Sequence, residues 1–313
     1  MRVDAVFEGG GVRGIAFLGA IEEMESAGYS WGNLAGTSAG SIIAALLAVG
    51  YSSRELMELF LSFPFQEIEK KTGICKIPLV GPWLSLQFNN GIYSSDIIET
   101  WLDKHLQEKG IQTFSDLGEN KLKVIITDLS NNRVSILPDD LSFYHIEPGA
   151  FSIARAVRMS CSIPFILRPL TLSGNVIVDG GVLSNYPIWI FDNQDHPPMW
   201  PTIGFRLSGH SFMPQPKEIL GPIDLSISLV RTMVDGHDNR YIDSHSAART
   251  VFIKGIKVGS TDFDLPMETK LQLVQLGRIA VKEFISKWNF QKYIRDHRSS
   301  LRTNFNRKGY KSI

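Results

Sequence analysis

Gly36-Thr37-Ser38-Ala39-Gly40 places a serine two residues from a glycine on either side. That G-x-S-x-G spacing suits a sharp strand-to-helix turn, which throws the serine hydroxyl clear of the backbone as a nucleophile. Gly36 and Gly40 have no Cβ, so strand and helix can close on each other around the turn. The helix N-terminus then offers N–H donors and a positive dipole end to an anion developing beside Ser38. The chemistry such a serine performs is attack on an ester or amide carbonyl.

A second glycine-rich turn, Gly9-Gly10-Gly11-Val12-Arg13-Gly14, follows an apolar strand-like segment. It permits two readings. As G-x-G-x-x-G it could cradle a dinucleotide pyrophosphate, which also requires an acidic residue about 20 positions on, at the end of the second strand. That strand ends Leu34-Ala35-Gly36-Thr37, and Glu22, Glu23 and Glu25 fall inside the first helix. Alternatively, the amides of Gly10 and Gly11 form an oxyanion hole for the serine one strand away.

The nucleophile needs a base. None of the seven histidines stands in a recognisable motif; His237 is the hardest to dismiss. Asp179-Gly180-Gly181 follows the apolar run Val176-Ile177-Val178, at the end of a strand and against two glycines that admit another backbone. Desolvation there disfavours the charged carboxylate and raises its pKa, making Asp179 a stronger base than an aspartate in water. The competing reading is an aspartate that caps its own turn.

The elements that must position these groups are a strand Val3–Phe7, a helix from Val12 to Ala27 closed by Gly28, a strand Trp31–Ala35 and a buried helix Ser41–Val49. Further strands are expected at Lys121–Leu129, Val134–Leu137, Val176–Val178 and Thr202–Leu207, with a helix over Pro148–Met159. Strands alternating with helices favour a parallel-rich sheet covered on both faces. Between residues 60 and 93 periodicity fails, and Pro, Gly and aromatics such as Phe63, Phe65 and Trp83 accumulate, as in a lid or interfacial loop or a core-filling one. No repeat or low-complexity linker divides residues 1–313, which are expected to form one domain.

With 313 residues, 43% of them hydrophobic and 20% charged, the chain can bury a sizeable core. Lys and Arg balance Asp and Glu at 32 each, which removes the global basic field of a non-specific nucleic-acid binder. The longest apolar run, Ile42–Val49, is far short of the roughly 20 residues a spanning helix needs. No secretory signal pattern opens the chain, and Cys75 and Cys161 give neither a disulfide framework nor metal-ligand spacing, so a reducing, cytoplasmic location is expected. In the segment 287–313, eight basic residues stand against Asp296 alone, a net charge of +7, interleaved with Trp288, Phe290, Tyr293, Phe305 and Tyr310. Such a segment suits peripheral contact with an anionic membrane; the competing reading is a solvated helix end and frayed tail.

The ordered set of the Gly9–Gly14 turn, the Ser38 pentapeptide and Asp179-Gly180-Gly181 resembles the patatin-like phospholipase family. The resemblance extends to Ser160-Cys161-Ser162-Ile163-Pro164 and Asn185-Tyr186-Pro187. It covers residues 3 to 210, and more loosely Phe252 to Phe284. Glu8 departs from the aspartate many members carry there, and Cys161 from a common alanine. The resemblance implies a three-layer α/β/α sandwich with a mostly parallel central sheet, and a Ser–Asp dyad of Ser38 as nucleophile and Asp179 as base. It also implies an oxyanion hole lined by Gly9, Gly10 and Gly11 and supported by Arg13, with Gly36, Gly40 and Gly180 as motif glycines. No metal or organic cofactor is implied. The expected substrates are lipid acyl esters; the alternatives are a catalytically weak lipid-binding protein on this fold and a dinucleotide-dependent oxidoreductase.

Overall fold

The computed structural model describes residues 1–69, 85, 90–119, 121–192, 200–207, 219–236 and 244–295. Its centre is an eight-stranded mixed sheet built from β1 (Arg2–Phe7), β2 (Ser30–Thr37), β4 (Leu122–Asp128), β5 (Arg133–Leu137), β7 (Leu170–Leu172), β8 (Asn175–Asp179), β9 (Thr202–Leu207) and β10 (Thr250–Ile253). The order is β10-β9-β1-β2-β4-β8-β7, with β5 also paired to β4. The block β10-β9-β1-β2-β4 is parallel throughout, and the β4-β5, β4-β8 and β8-β7 pairings are antiparallel. Two short strands, β3 (Gly91–Tyr93) and β6 (Phe165–Leu167), pair separately.

The central strands are apolar on both faces because both are covered. Val3, Ala5 and Phe7 of β1 enter the main core, where Phe7 stacks on Phe205 of β9 at 4.9 Å and meets Phe17 edge-on at 5.4 Å. Val6 and Ala35 point the other way, onto Ile188 with Tyr186, Ile190 and Phe191 around it. The helices expected from the first two strand–turn–helix units are present as α1 (Ala16–Ser26) and α2 (Ala39–Ala48). α1 is preceded by one 3-10 turn, Gly11–Ile15, and followed by Gly28 at φ 81°.

The long helix Met267–Lys287 lies on α1 at glycines. A Cβ on Gly19 would stand 1.9 Å from the Val274 carbonyl oxygen, and one on Gly277 would stand 2.0 Å from that of Ala16. The two helix backbones therefore touch where ordinary side chains would hold them apart.

One expectation is corrected. The helix expected over Pro148–Met159 begins only at Ile153, because Ser152 caps it with its hydroxyl, accepting from the Arg155 amide. The strand expected at Val176–Val178 is present within β8, entered from a turn at Ser173 and Gly174, both at positive φ, that joins it to β7 as a hairpin. Of the aromatics in 60–93, Phe60 and Phe63 are buried, while Cys75, Pro78, Gly81, Pro82, Trp83 and Phe88 lie outside the described residues. Residues 296–313 of the basic segment, with His196, His210, His237 and His297, lie outside them too.

Gly277→Ala is expected to destabilise the protein by about 1–3 kcal/mol through overpacking against the α1 backbone. Gly118→Ala, where an added Cβ meets nothing within 4 Å, should stay within roughly 0.5 kcal/mol of the parent. Thermal or denaturant melts of the two variants check this.

Candidate active site

β4 brings the distant motifs together. β2 runs parallel to it with Thr37 opposite Ile125, and β8 runs antiparallel to it with Asp179 opposite Ile126. The residue after Thr37 and the last residue of β8 therefore emerge over the same step of one strand. β1 lies on the other side of β2 with Phe7 opposite Gly36, so the Glu8–Gly11 turn leaves the sheet at the same edge. In a parallel block all strands end on one side, which is where loops can converge.

The turn at Ser38 is tight. Ser38 sits at φ 52° and ψ −129°, a region that costs a non-glycine residue about 1–3 kcal/mol. The surroundings hold it there. Its amide donates to Ser160 Oγ (2.9 Å), and the Ser160 hydroxyl donates to the Ile125 carbonyl (2.5 Å). On the helix side the Ser38 carbonyl accepts from both the amide and the hydroxyl of Ser41, at 2.8 and 2.6 Å. The motif glycines act by absence of bulk. A Cβ on Gly36 would lie 2.2 Å from Gly40 O, one on Gly40 2.4 Å from Phe7 O, and one on Gly180 2.4 Å from Ile125 O.

Asp179 is 1% exposed. Its Oδ1 accepts from the Gly181 amide at 2.7 Å, so the turn-capping reading is correct for one oxygen. Its Oδ2 is buried with no hydrogen-bond partner among the described residues. Burial pushes the Asp179 carboxyl up to about 7, with the nearby Ser38 hydroxyl and the Gly181 amide offsetting part of that rise.

The glycine turn is braced rather than open. Arg13 is buried; its amide and its Nε both donate to the Gly10 carbonyl, at 3.2 and 3.3 Å. Pinning that carbonyl turns the N–H of the same peptide, that of Gly11, the opposite way. Gly11, at φ 55°, has the Ser260 carbonyl where a Cβ would stand, and a Cβ on Gly10 would strike Leu207. A side chain at either glycine would therefore displace the turn. Gly9 requires a correction: its amide donates to the Asn185 carbonyl at 3.1 Å, so its place beside Ser38 reflects close packing, not a free donor. Asn185 also donates through Nδ2 to the Gly9 carbonyl at 3.1 Å, clamping the turn from both sides. Glu8 is wholly buried. It pairs with Arg206 Nε at 3.2 Å and accepts from the Leu207 amide at 2.6 Å, which ties β1 to β9 below the turn.

An apolar cavity opens on Ser38 and Gly11, walled by Phe60, Phe63, Trp101 and Phe263. Cys161 also faces it; burial and the Asp179 carboxylate push its thiol well above the ordinary range, leaving it unreactive. Of the described histidines, His105 bonds Glu108, His245 bonds Tyr293, His145 is exposed, and none of the three lines the cavity. Ser160 and Asn185 stand in segments that carry the family resemblance, but their sequence neighbourhood assigns neither a role; the structure makes both of them supports of the site.

Two tests follow from the carboxyl. If Asp179 must be ionised to take the Ser38 proton, fluorophosphonate labelling of Ser38 should rise about tenfold per pH unit below 7 and level off above it. A rate flat from pH 5 to 9 would contradict this. A carboxyl raised on folding binds its proton more tightly in the folded state, so stability falls as pH climbs from the unfolded value of 3.8 to about 7. Asp179→Asn should therefore stabilise the protein at pH 8, by at most on the order of 4 kcal/mol, with the gain vanishing near pH 4. Melts at the two pH values read it directly.

Residues 5–192 match the family described as patatin-like phospholipase. The uncharacterized protein YqhO of Bacillus subtilis (strain 168) is 39% identical over 295 residues, covering 93% of this chain and 100% of that one. The probable lipid hydrolase 463L of Invertebrate iridescent virus 6 is 29% identical over 187 residues, 58% of this chain and 61% of that one. The crystal structure of VipD from Legionella pneumophila superposes with a TM-score of 0.55 at 18% identity, covering 91% of this chain and 66% of that one, a likeness of fold. Among the described residues no helix is long and apolar enough to cross a membrane. With the family match spanning more than half of its length, the chain belongs to the patatin-like phospholipases.

Proposed function

We propose that the protein hydrolyses fatty-acyl esters of lipids through a Ser38–Asp179 dyad. The observation that carries this reading is the half-used carboxyl: Asp179 spends Oδ1 on its own turn, its buried Oδ2 has no hydrogen-bond partner within ordinary distance among the described residues, and the Ser38 hydroxyl, on a strained elbow, is near enough to hold its pKa down in part. A buried acceptor without a close donor is costly, and such costs gather where a group must exchange a proton.

In the proposed course, Oδ2 of Asp179 accepts the Ser38 proton as Oγ attacks the ester carbonyl. The oxyanion is held by the amides of Gly10 and Gly11 on a turn fixed by Arg13 and Asn185, while α2 directs its N-terminal dipole at the developing charge. Collapse breaks the ester C–O bond, and the Asp179 proton passes to the departing alcohol or lysolipid. Asp179 next takes a proton from water, the hydroxide attacks the acyl-serine, and Ser38 regains its proton as the fatty acid leaves. The acyl chain is placed in the apolar cavity, whose wall of Phe60, Phe63 and Trp101 offers it contact area and no hydrogen-bonding competition. Peripheral contact with an anionic membrane is proposed for the basic segment beginning at Lys287.

The test is fatty-acid release from a panel of phospholipids, lysophospholipids and neutral acyl esters. Ser38→Ala and Asp179→Asn should each lose at least about a thousandfold in kcat/KM with unchanged circular dichroism. Activity in either variant equal to the parent's would overturn the dyad. Bound acyl chains with no released fatty acid would instead identify a binding protein.

A further inference from the structure

The helix Pro222–Gly236 is apolar on the side it buries and also on the side it shows. Val230 joins the main core and Ile227 packs against it. Leu225, Leu229 and Met233, four residues apart and so on one face, are 56%, 58% and 39% exposed. Two hydroxyls near that face are turned back onto the helix backbone. Ser226 Oγ donates to the Pro222 carbonyl and Thr232 Oγ1 to the Ser228 carbonyl, both at 2.8 Å. From Leu225 to Val230 the sequence carries no charge. A surface helix normally presents a polar face to water, and an uncharged leucine stripe with satisfied hydroxyls does not.

Its position connects it to the cavity. The helix packs on the turn Gly180–Val182, which directly follows Asp179, and on β6, whose Leu167 walls the apolar cavity. Both of those elements end in an exposed apolar side chain, Leu183 after the turn and Phe165 at the start of β6, 43% and 38% exposed. The stripe therefore belongs to a helix seated against two elements of the site, one that follows Asp179 and one that walls the cavity.

We infer that the outward face of this helix docks on a lipid surface, inserting Leu225, Leu229 and Met233 among acyl chains irrespective of headgroup charge, so that lipid passes from the aggregate into the cavity. This rests on the hydrolase reading and specifies where the aggregate binds. Insertion of an uncharged stripe is driven by apolar burial, so it should be insensitive to salt, unlike attraction by the basic segment.

The experiment uses the full chain and sedimentation with phosphatidylcholine vesicles, with and without phosphatidylglycerol. The parent should bind neutral vesicles at high salt, and Leu225→Gln/Leu229→Gln should bind them at least about tenfold more weakly while its Ser38 labels with a soluble fluorophosphonate within about twofold of the parent. Equal binding by parent and variant, or binding only to the anionic vesicles, would overturn the inference. So would light scattering that shows a dimer in the parent and a monomer in the variant, since a second copy would then cover the face. Should the double variant fail to fold, Leu229→Cys carrying bimane should shift to the blue on neutral vesicles, with the unsubstituted protein treated alike as control; no shift would contradict insertion. Absence of labelling in the parent would count against the dyad and leave the vesicle result to decide this proposal alone.

Discussion

One strand fixes the geometry on which everything else depends. β4 holds β2 by one of its edges and β8 by the other, and the adjacent residues Ile125 and Ile126 face Thr37 and Asp179 respectively. The carbonyl of Ile125 also anchors Ser160, which in turn anchors the Ser38 amide, and its oxygen lies where a side chain on Gly180 would be. A one-residue slip of β8 on β4 would carry the aspartate to the opposite face of the sheet. Register at a single strand thus sets the relation between two residues far apart in the chain.

The reactivity proposed for this site rests on departures that stability alone would not select. Ser38 holds a backbone conformation rare for a residue with a Cβ, and Asp179 is a buried carboxyl with one oxygen that lacks a close hydrogen-bond partner among the described residues. Both are tolerated because the surroundings are over-determined. Hydrogen bonds on each side fix the elbow, and the turn amide of Gly181 fixes the carboxyl by its other oxygen. Such concentrations of strain and desolvation are expected where a group must change its protonation state during turnover.

The motifs were legible in the sequence because their chemistry is local. Glycines flanking a serine, three consecutive glycines after a strand, and an aspartate before two glycines each constrain their own backbone. The first two strand–turn–helix units were legible for the same reason, and Gly28 marks the end of α1 as expected. What escaped was non-local. Nothing near residue 176 reveals that β8 pairs antiparallel with β4, and nothing near Ser160 reveals that its hydroxyl supports a loop 122 residues earlier. The Gly9 amide was misassigned because its acceptor, the Asn185 carbonyl, is equally remote. The Pro148 helix was begun early because the cap at Ser152 weighs more than the apolar pattern before it.

The central claim is that three turns from three strands converge on one reacting carbon. A crystal structure of the protein after reaction with a fluorophosphonate measures that convergence in a single view. The account predicts phosphorus bonded to Ser38 Oγ, the phosphoryl oxygen facing the Gly10 and Gly11 amides, and Asp179 Oδ2 beside Oγ. An adduct on another residue, or a phosphoryl oxygen turned away from the glycine turn, would contradict it.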